Sequence, residues 1–428
     1  MVMLDPLSSY YLLNEETKEK LKAIDRVDIV VGIPSYNNAG TIGKVVSEVG
    51  RGLRAHFPRL ESLILNSDGG STDGTRDVVR RTPVPEGIQM LSVAYEGIPG
   101  KGSALRTVFE AADLLQARFC IVTDADSQSI TPEWVKSLGD PIYLRNYGYT
   151  TPYYLRDKYD GTITNALVYP LTSALYGQRI RQPIGGDFGM SKGLLKNFIY
   201  TRDWDWYPDV CKFGVDIWMT TTAICEGFRI CQSSLGTKVH DIKDPSMDLG
   251  PMFRQVVGTM FGLMRKYEVK WKAVKKSQPI YVAEESHIDE IRDLKIGIRK
   301  MIDQFHAGFQ QYSELWREIL EENNFQALSR LSHRHRNFSL PVDLWARTVY
   351  DYAVYYNFVE KTKKREILDS LAPLYYGRTA SFALESRTIS DEMSDAFVEG
   401  CAHVFERLKP YLIKRWNEHQ KVEPVSLE

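Results

Sequence analysis

Two aspartates that follow an apolar run are the first residues here with a chemical signature. Residues 119–123, FCIVT, are apolar or β-branched, which is typical of a buried strand of a parallel sheet, and Asp124 and Asp126 follow this run one residue apart. Open α/β sheets bind ligands at the carboxyl ends of their strands. Two carboxylates there suit Mg²⁺ or Mn²⁺ carrying a diphosphate, although an ordinary aspartate-rich turn accounts for the pattern equally well.

Two more charged residues also follow predicted strands. Asp68 directly follows the run LESLILNS, where its carboxylate can pair with a base or a ribose hydroxyl, or can simply cap a turn. Lys101 lies between two glycines, where its ammonium can reach a phosphate, or can be an ordinary surface lysine. Taken with Asp124 and Asp126, these residues favour a site for a nucleoside diphosphate.

The elements that must position these residues alternate between strands and helices. Strands are predicted over residues 27–34, 60–66, 88–97 and 119–123. Between them, a helix capped by Thr41 carries apolar residues at helical spacing, and further helices are predicted over 76–81 and 103–116. This alternation predicts a doubly wound, mostly parallel, Rossmann-like sheet. The first strand runs into GIPSYNNAG rather than GxGxxG, which argues against an NAD-binding site.

Composition and charge narrow the class of protein. The chain has 428 residues, enough for two domains, and its 54 Lys and Arg against 55 Asp and Glu give a net charge of −1, which does not favour a nucleic-acid partner. The five cysteines are odd in number and lack CxxC spacing, which argues against a disulfide framework or a zinc site and favours a reducing cytoplasm. Neither a signal peptide nor a membrane span is predicted, and PMFRQVVGTMFGLMRK is predicted to be a core helix.

The last third of the chain has a different pattern. From about residue 284, apolar residues recur every three or four positions, and further helical blocks surround Trp316, Trp345, Tyr375 and Phe405. This pattern predicts an all-helical C-terminal region. The predicted organisation is an N-terminal helical lead at 1–26, an α/β domain at 27–282 and a helical domain at 283–428.

Several blocks, in order, resemble one enzyme family. The stretches IPSYNNAGTIGKVV, NSDGGSTDGT, PGKGSALR and VTDADS are similar to the nucleotide-sugar half of GT-A glycosyltransferases. The stretches YYLRDKYDGTITN, QPIGGDFGMS, FGVDIWM and TKVHDIKD resemble the second half of retaining enzymes of the mannosylglycerate and glucosylglycerate synthase type, which are related to glucosyl-3-phosphoglycerate synthases. The resemblance extends from about Val27 into the C-terminal region and implies a GT-A fold.

The resemblance implies a donor site at the ends of the first strands. Lys101 resembles the lysine that contacts the donor diphosphate and assists catalysis, and Asp124 resembles the residue that holds the donor ribose or sugar. Asp126 and His240 resemble the ligands of the Mg²⁺ or Mn²⁺ ion. The other residues that the resemblance assigns to nucleotide-sugar binding are Pro34, Ser35, Tyr36, Asp68, Gly100 and Ala125.

Further matches concern the acceptor and the reacting centre. Arg156, Asp160 and Thr164 have the spacing of the family's acceptor residues, in which the guanidinium binds the glycerate carboxylate, although a surface ion pair also accounts for Arg156. Asp187 and Asp216 resemble acidic residues near the sugar and are candidate catalytic residues, with a turn residue and a helix N-cap as the ordinary alternatives. The resemblance implies same-face attack with retention, and leaves Asp216 open as nucleophile or electrostatic stabiliser.

The resemblance implies a metal-dependent hexosyltransferase that converts D-glycerate to an α-glycosylglycerate, a compatible solute. Thr162 stands where the related 3-phosphoglycerate enzymes carry an arginine, which favours free glycerate, with 3-phosphoglycerate as the alternative acceptor. A nucleotide-sugar-binding protein without catalysis is the alternative from another class. The donor stays open between mannose and glucose, for example GDP-mannose or UDP-glucose. The family's C-terminal helices imply a homodimer or a higher homo-oligomer.

Overall fold

The computed structural model describes residues 12–239, 250–283, 294, 296–334 and 337–422. The chain divides into two compact units, each built from separate segments. We call them the sheet unit (Met1–Leu155, Ile184–Asp241 and Ile280–Glu290) and the helical unit (Arg156–Pro183, Ile242–Pro279 and Ile291–Glu428). The domain boundaries drawn from the sequence, after residues 26 and 282, stay a prediction.

Strands and helices alternate in the first part of the chain and give way to helices. The strands are β1 (Ile29–Ser35), β2 (Ser62–Asp68), β3 (Ile88–Ala94), β4 (Phe119–Val122), β5 (Tyr149–Leu155), β6 (Gln178–Arg179), β7 (Phe188–Ser191), β8 (Ile230–Thr237), β9 (Gln278–Pro279) and β10 (Val282–Ala283). The α-helices are α1 (Glu15–Ile24), α2 (Ile42–His56), α3 (Thr75–Arg81), α4 (Lys101–Leu114), α5 (Pro132–Arg145), α6 (Tyr169–Tyr176), α7 (Lys192–Ile199), α8 (Asp203–Trp206), α9 (Val215–Cys225), α10 (Gly250–Lys266), α11 (Glu268–Ala273), α12 (Ile298–Ile319), α13 (Glu322–Ser332), α14 (Val342–Phe358), α15 (Lys364–Glu385) and α16 (Asp391–Val422). Short 3₁₀ segments lie at Pro208–Cys211 and Lys361–Lys363, and a π-helical turn lies at Thr164–Val168.

The sheet unit is built around an eight-stranded sheet in the order β10-β8-β5-β7-β4-β1-β2-β3. Strand β7 runs antiparallel to its neighbours β4 and β5, and the other neighbouring strands are parallel. In the register of β1, Ser35 is paired with Asp68 of β2 and Gly32 is paired with Val122 of β4. The carboxyl ends of β1, β2 and β4 therefore lie at one edge, as the sequence predicts.

Helix α2 shows how apolar spacing builds this unit. Five apolar residues at helical spacing are fully buried and belong to the core cluster that includes β1 and α5: Ile42, Val45, Val46, Val49 and Leu53. Burying each such side chain contributes roughly 1.5–3 kcal/mol relative to leaving it exposed. The local period alone is therefore sufficient to predict this helix and its buried face.

Thr41 is the N-cap residue of α2, as the sequence predicts, but its side chain caps no helical N–H. Its hydroxyl donates instead to the backbone oxygen of Ala125, 2.8 Å away, because the loop after β4 passes beside the start of α2. This bond ties α2 to the segment that carries Asp124 and Asp126.

The helical unit contains a two-stranded pairing of β6 with β9, and its helices pack along their lengths. Helix α12 packs against α15, and both α14 and α6 pack against α16. The buried Asp351 of α14 accepts hydrogen bonds from Asn324, Tyr411 and Arg415, which joins α13, α14 and α16. After β10, every element in the described ranges is helical. The predicted fold class, a mostly parallel α/β sheet with a C-terminal helical region, is confirmed.

Among the helices that the structure describes, none combines the length and the apolar character needed to cross a membrane.

Candidate functional site

A chain of ion pairs lies where strand β4 ends. The Lys101 ammonium lies 2.8 Å from Asp124 Oδ1 and 3.0 Å from Asp216 Oδ2. A second ammonium, that of Lys238, lies 3.1 Å from Asp124 Oδ2 and 2.8 Å from Asp187 Oδ2. The fold thus brings four predicted site residues together with one lysine that the sequence did not single out.

The glycines on either side of Lys101 allow a close backbone contact that fixes its position. A Cβ added to Gly102 would lie 1.8 Å from the Val210 carbonyl oxygen, and one added to Gly100 would lie 2.5 Å from the Cys211 carbonyl oxygen. Only glycine permits so close an approach of two backbone segments. In addition, the Gly102 N–H donates to the carbonyl oxygen of residue 212 at 3.2 Å. The first turn of α4 is therefore fixed against the segment that leads into α9.

Asp216 occupies the second position of α9 and is not its N-cap, which is Gly214. One carboxylate oxygen contacts Lys101, and the other, Oδ1, accepts no hydrogen bond from any residue that the structure describes. Burial raises the pKa of Asp216, and the Asp124 carboxylate adds to this effect while the Lys101 ammonium opposes it. A buried carboxylate oxygen without a donor is costly, and it can accept a hydroxyl of a ligand.

Charge pairing controls the ionisation of Lys101 and Asp124. Burial lowers the pKa of Lys101, but the Asp124 and Asp216 carboxylates outweigh burial and hold this pKa above its usual range. Burial raises the pKa of Asp124, but Lys101 and Lys238 outweigh burial and hold this pKa well below its usual range. Lys101 is therefore an ammonium, and Asp124 a carboxylate, across the ordinary pH range.

The Asp187 carboxylate is buried and hydrogen-bonded within the sheet unit. It is fully buried, and its carboxylate accepts hydrogen bonds from the Thr123 hydroxyl at 2.5 Å, from the Asp124 N–H at 3.1 Å and from the Tyr154 hydroxyl. The Lys238 ammonium is its fourth donor. In this arrangement Asp187 supports the backbone that carries Asp124.

Lys238 directly follows β8 and lies in the block TKVHDIKD. No periodicity or spacing marks this lysine as functional. The signal that could have found it is its place at the carboxyl end of another strand, two residues before His240.

Asp68, at the end of β2, has a different environment. It is fully buried, and its Oδ1 accepts from the backbone N–H groups of Gly70 at 3.0 Å and Ser71 at 2.8 Å. Its Oδ2 accepts from the hydroxyls of Ser35 at 2.8 Å and Ser71 at 2.6 Å. These bonds match the explanation in which Asp68 caps a turn.

The remaining donor-site and metal-site residues are placed as follows. Tyr36 is 65% exposed, Pro34 and Asp126 are partly buried, and Ala125 is buried. His240, the second predicted metal ligand, lies outside the described residues. Within the ranges that the structure describes, no group of three or more His, Cys, Asp or Glu side chains is arranged to hold a metal ion.

The three predicted acceptor residues lie in the helical unit and gather around Gly161. Arg156 Nη1 lies 3.4 Å from Asp160 Oδ2. A Cβ added to Gly161 would lie 3.5 Å from Arg156 Nη1 and 3.9 Å from the Thr164 side chain. Thr164 begins the π-helical turn, a kind of helical irregularity that is frequent at functional sites. The spacing of the three residues in the sequence therefore corresponds to one cluster in space.

Comparison with known proteins gives distant matches. No model of a known protein family matches this chain. The glucosyl-3-phosphoglycerate synthase of Petrotoga mobilis is 24% identical over 272 residues, which cover 59% of this chain and 79% of that protein. Glycosyltransferase AglJ of Haloferax volcanii is 28% identical over 204 residues, which cover 46% of this chain and 58% of that protein. The chain is therefore a distant relative of glucosyl-3-phosphoglycerate synthase.

One solved structure is similar to this chain at low sequence identity. A crystal structure of glucosyl-3-phosphoglycerate synthase from Mycobacterium tuberculosis, in complex with Mg²⁺ and uridine diphosphate, is 23% identical in sequence. The match covers 58% of this chain and 83% of that chain, with a TM-score of 0.42.

Proposed function

We propose that this protein is a glycosyltransferase that moves a hexose from a nucleoside diphosphate sugar to 3-phosphoglycerate or glycerate. The observation that carries the proposal is the position of Lys101. This ammonium lies between two glycines at the carboxyl edge of a mostly parallel sheet and is shared by two carboxylates. Open α/β sheets bind nucleotides at that edge. The distant relationship to glucosyl-3-phosphoglycerate synthase supports the same interpretation.

The residues at the carboxyl end of β4 suit the charges that develop in this reaction. The bond between the anomeric carbon and the diphosphate oxygen breaks, a bond forms from that carbon to the acceptor hydroxyl oxygen, and the hydroxyl proton passes to the departing diphosphate. Lys101 stabilises the negative charge on the diphosphate, and Asp216 supplies negative charge against the positive charge at the anomeric carbon. Removing one preorganised contact of this kind raises a reaction barrier by about 3–4 kcal/mol.

A divalent cation fits the donor set of this edge. Asp126 offers a hard carboxylate oxygen, and Mg²⁺ is commonly held by one or two carboxylates together with substrate phosphates. We therefore assign Asp126, with His240 as its predicted companion, to an Mg²⁺ or Mn²⁺ ion. When bound, the ion neutralises charge on the diphosphate. Asp124 is not assigned to the metal, because both of its oxygens contact lysines.

The first candidate acceptor is 3-phosphoglycerate. Its support is the name of the Petrotoga mobilis relative. Arg156 offers a guanidinium for the acceptor's carboxylate, and Asp160 and Thr164 offer partners for its hydroxyls. The contact between Arg156 and Asp160 keeps the guanidinium within the cluster around Gly161.

A second candidate acceptor is free D-glycerate, and Thr162 is the observation that favours it. Thr162 replaces an arginine of the resembling 3-phosphoglycerate enzymes, is 3% exposed, and its hydroxyl lies 2.6 Å from that of Tyr375. A buried, neutral side chain committed to Tyr375 offers nothing to an acceptor phosphate. Losing a guanidinium partner for a phosphate would cost on the order of 2–3 kcal/mol.

Incubation with UDP-glucose or GDP-mannose, each with 3-phosphoglycerate and with glycerate, tests the proposal when the products are identified by NMR. We expect a glycosylated acid only when a nucleotide sugar and an acid are both present. A kcat/KM for glycerate above that for 3-phosphoglycerate would select the second acceptor. Nucleotide-sugar binding without turnover in any pair would instead favour the non-catalytic binding protein.

A further inference from the structure

The side chain of Lys238 is more deeply buried than that of Lys101. The Lys238 side chain is 4% exposed and that of Lys101 is 13% exposed. The Lys238 ammonium has three hydrogens to donate and lies close to three acceptors. These are Asp187 Oδ2 at 2.8 Å, the Gly185 carbonyl oxygen at 3.0 Å and Asp124 Oδ2 at 3.1 Å. Its donors are therefore all used within the protein.

The two lysines divide the Asp124 carboxylate between them. Oδ1 contacts Lys101 and Oδ2 contacts Lys238. The turn before β7 lies against the same Oδ2, since a Cβ added to Gly186 would lie 2.0 Å from it. A buried carboxylate that loses its only counter-charge is strongly destabilised. Because Lys238 keeps its own oxygen, Asp124 stays paired when Lys101 turns towards another anion.

The backbone beside Lys238 is also tied to the loop that carries Asp124. The Val239 carbonyl oxygen accepts from the Gln128 N–H at 2.8 Å, and the Val239 N–H donates to Ser129 Oγ at 2.9 Å. These bonds fix the end of β8 against the loop after β4. The Lys238 side chain adds the turn before β7 to this connection through Asp187.

We infer that Lys238 is a positioning residue for donor binding, which holds Asp124 and the turn before β7 in place so that a nucleoside diphosphate can recruit Lys101. The inference rests on the proposed function and gives the two lysines different tasks. Lys101 touches the diphosphate, and Lys238 acts through Asp124. If Lys238 were merely structural, its loss would affect folding alone.

Calorimetric titration with UDP or GDP in the presence of Mg²⁺ separates these roles when Lys238→Met is compared with Lys409→Met. Lys409 is a matched control, because it is also buried (4% of the residue is exposed, against 8% for Lys238) and its ammonium contacts the carbonyl oxygens of Ala174, Leu175 and Val274 in the helical unit. We expect both variants to melt below the wild type. At a temperature where all are folded, only Lys238→Met should bind the nucleotide at least tenfold more weakly. Lys238→Arg, which restores the charge, should recover part of the affinity.

The possible outcomes separate the inference from the function on which it rests. Equal affinities of Lys238→Met and the wild type would overturn the inference and leave the proposed function standing. If the wild type bound neither nucleotide, the proposed function would fail and the inference with it.

A crystal structure of the wild type with UDP or GDP and Mg²⁺ decides the matter if Lys238→Met does not fold. Contact of the Lys101 ammonium with the diphosphate, with Lys238 still on Asp124 and Asp187, supports the inference. Contact of the Lys238 ammonium with the nucleotide would contradict a positioning role.

Discussion

Two strand ends of one sheet hold an aspartate in opposite ways. At the end of β2, Asp68 is surrounded by neutral donors, which are backbone N–H groups and serine hydroxyls. Just past β4, Asp124 is held by the ammonium groups of Lys101 and Lys238. Neutral donors fix a turn, whereas a diphosphate can offer Lys101 the same kind of charged partner that a carboxylate offers. The contrast is consistent with a structural task at the end of β2 and, under the proposed function, with ligand exchange at the end of β4.

The largest effect should come from the same substitution at both ends. Asp124→Asn removes the charge that pairs with both lysines, so we expect turnover to fall at least a hundredfold, about 3 kcal/mol in the barrier. Asp68→Asn should act mainly on stability, because its amide N–H₂ would meet groups that already donate, at a cost of about 1–3 kcal/mol in the free energy of unfolding. Steady-state kinetics and urea unfolding measure the two effects. A larger loss of turnover in Asp68→Asn would reverse the assignment.

A pH dependence of stability should come from Glu110 of α4 rather than from Asp124. Glu110 is fully buried, and burial raises its pKa from 4.5 to about 7, although Arg106 and the backbone N–H groups of Leu12 and Leu13 donate to its carboxylate. The folded state therefore binds this proton more tightly than the unfolded state does. The resulting stabilisation is complete below pH 4.5 and disappears as the pH rises through about 7.

Urea unfolding between pH 4.5 and pH 8 tests this assignment. We expect Glu110 to lower the free energy of unfolding by roughly 2–3 kcal/mol across this range, and Glu110→Gln to lack that decrease. The depressed pKa of Asp124 keeps that group ionised throughout, so it adds no slope. An equal slope in both proteins would show that Glu110 does not titrate there.

Glycine substitutions near Lys101 and at the end of β2 should have different effects on nucleotide affinity. In Gly102→Ala the new methyl would lie 1.8 Å from the Val210 carbonyl oxygen, so the start of α4 must shift and displace Lys101. We expect nucleotide affinity to fall at least tenfold and stability to fall by roughly 1–3 kcal/mol. Gly70→Ala, at the end of β2, meets no described atom within 4 Å but has φ +85°, so it should lose roughly 1–2 kcal/mol of stability and little affinity. Gly40→Ala, which has space and no such φ, is the control.

The smallest effect should come from Thr41, which connects the loop after β1 to the loop after β4. Thr41→Val removes the hydroxyl that donates to the Ala125 carbonyl oxygen, and we expect a loss of about 1 kcal/mol in the free energy of unfolding. Thr41→Ser keeps the hydroxyl and should unfold like the wild type. Identical melting curves for Thr41→Val and the wild type would show that this bond does not stabilise the contact between the loop after β1 and the loop after β4.

Part of the site at the end of β4 can be predicted from the sequence alone. The apolar run before Asp124 and the glycines around Lys101 are local signals, so the strand end and its lysine are predictable. The partnership of Lys238 with Asp124 is not, because 114 residues separate them and they meet only through a sheet order in which β7 and β5 lie between β4 and β8. The N-cap position of Thr41 is predictable, but the partner of its hydroxyl is not, since that partner is 84 residues away.

The two explanations of Asp68 could not be separated from the sequence either. Both a ligand contact and a turn cap require a carboxylate at the end of a strand, so residue type and position fit each equally. What distinguishes them is whether the four hydrogen bonds come from the chain itself, and this depends on how Ser35 of β1 is registered against β2.

Titration of UDP or GDP, with Mg²⁺, into the wild type and Lys101→Met tests most directly whether the β4 end exchanges ligands. We predict one nucleotide site per chain and at least tenfold weaker binding by Lys101→Met, because a charge-assisted contact of this kind contributes about 1.5–3 kcal/mol. Lys196→Met removes an exposed lysine of α7 and should bind the nucleotide like the wild type. Equal affinities of Lys101→Met and the wild type would contradict the assignment of Lys101 to the donor diphosphate.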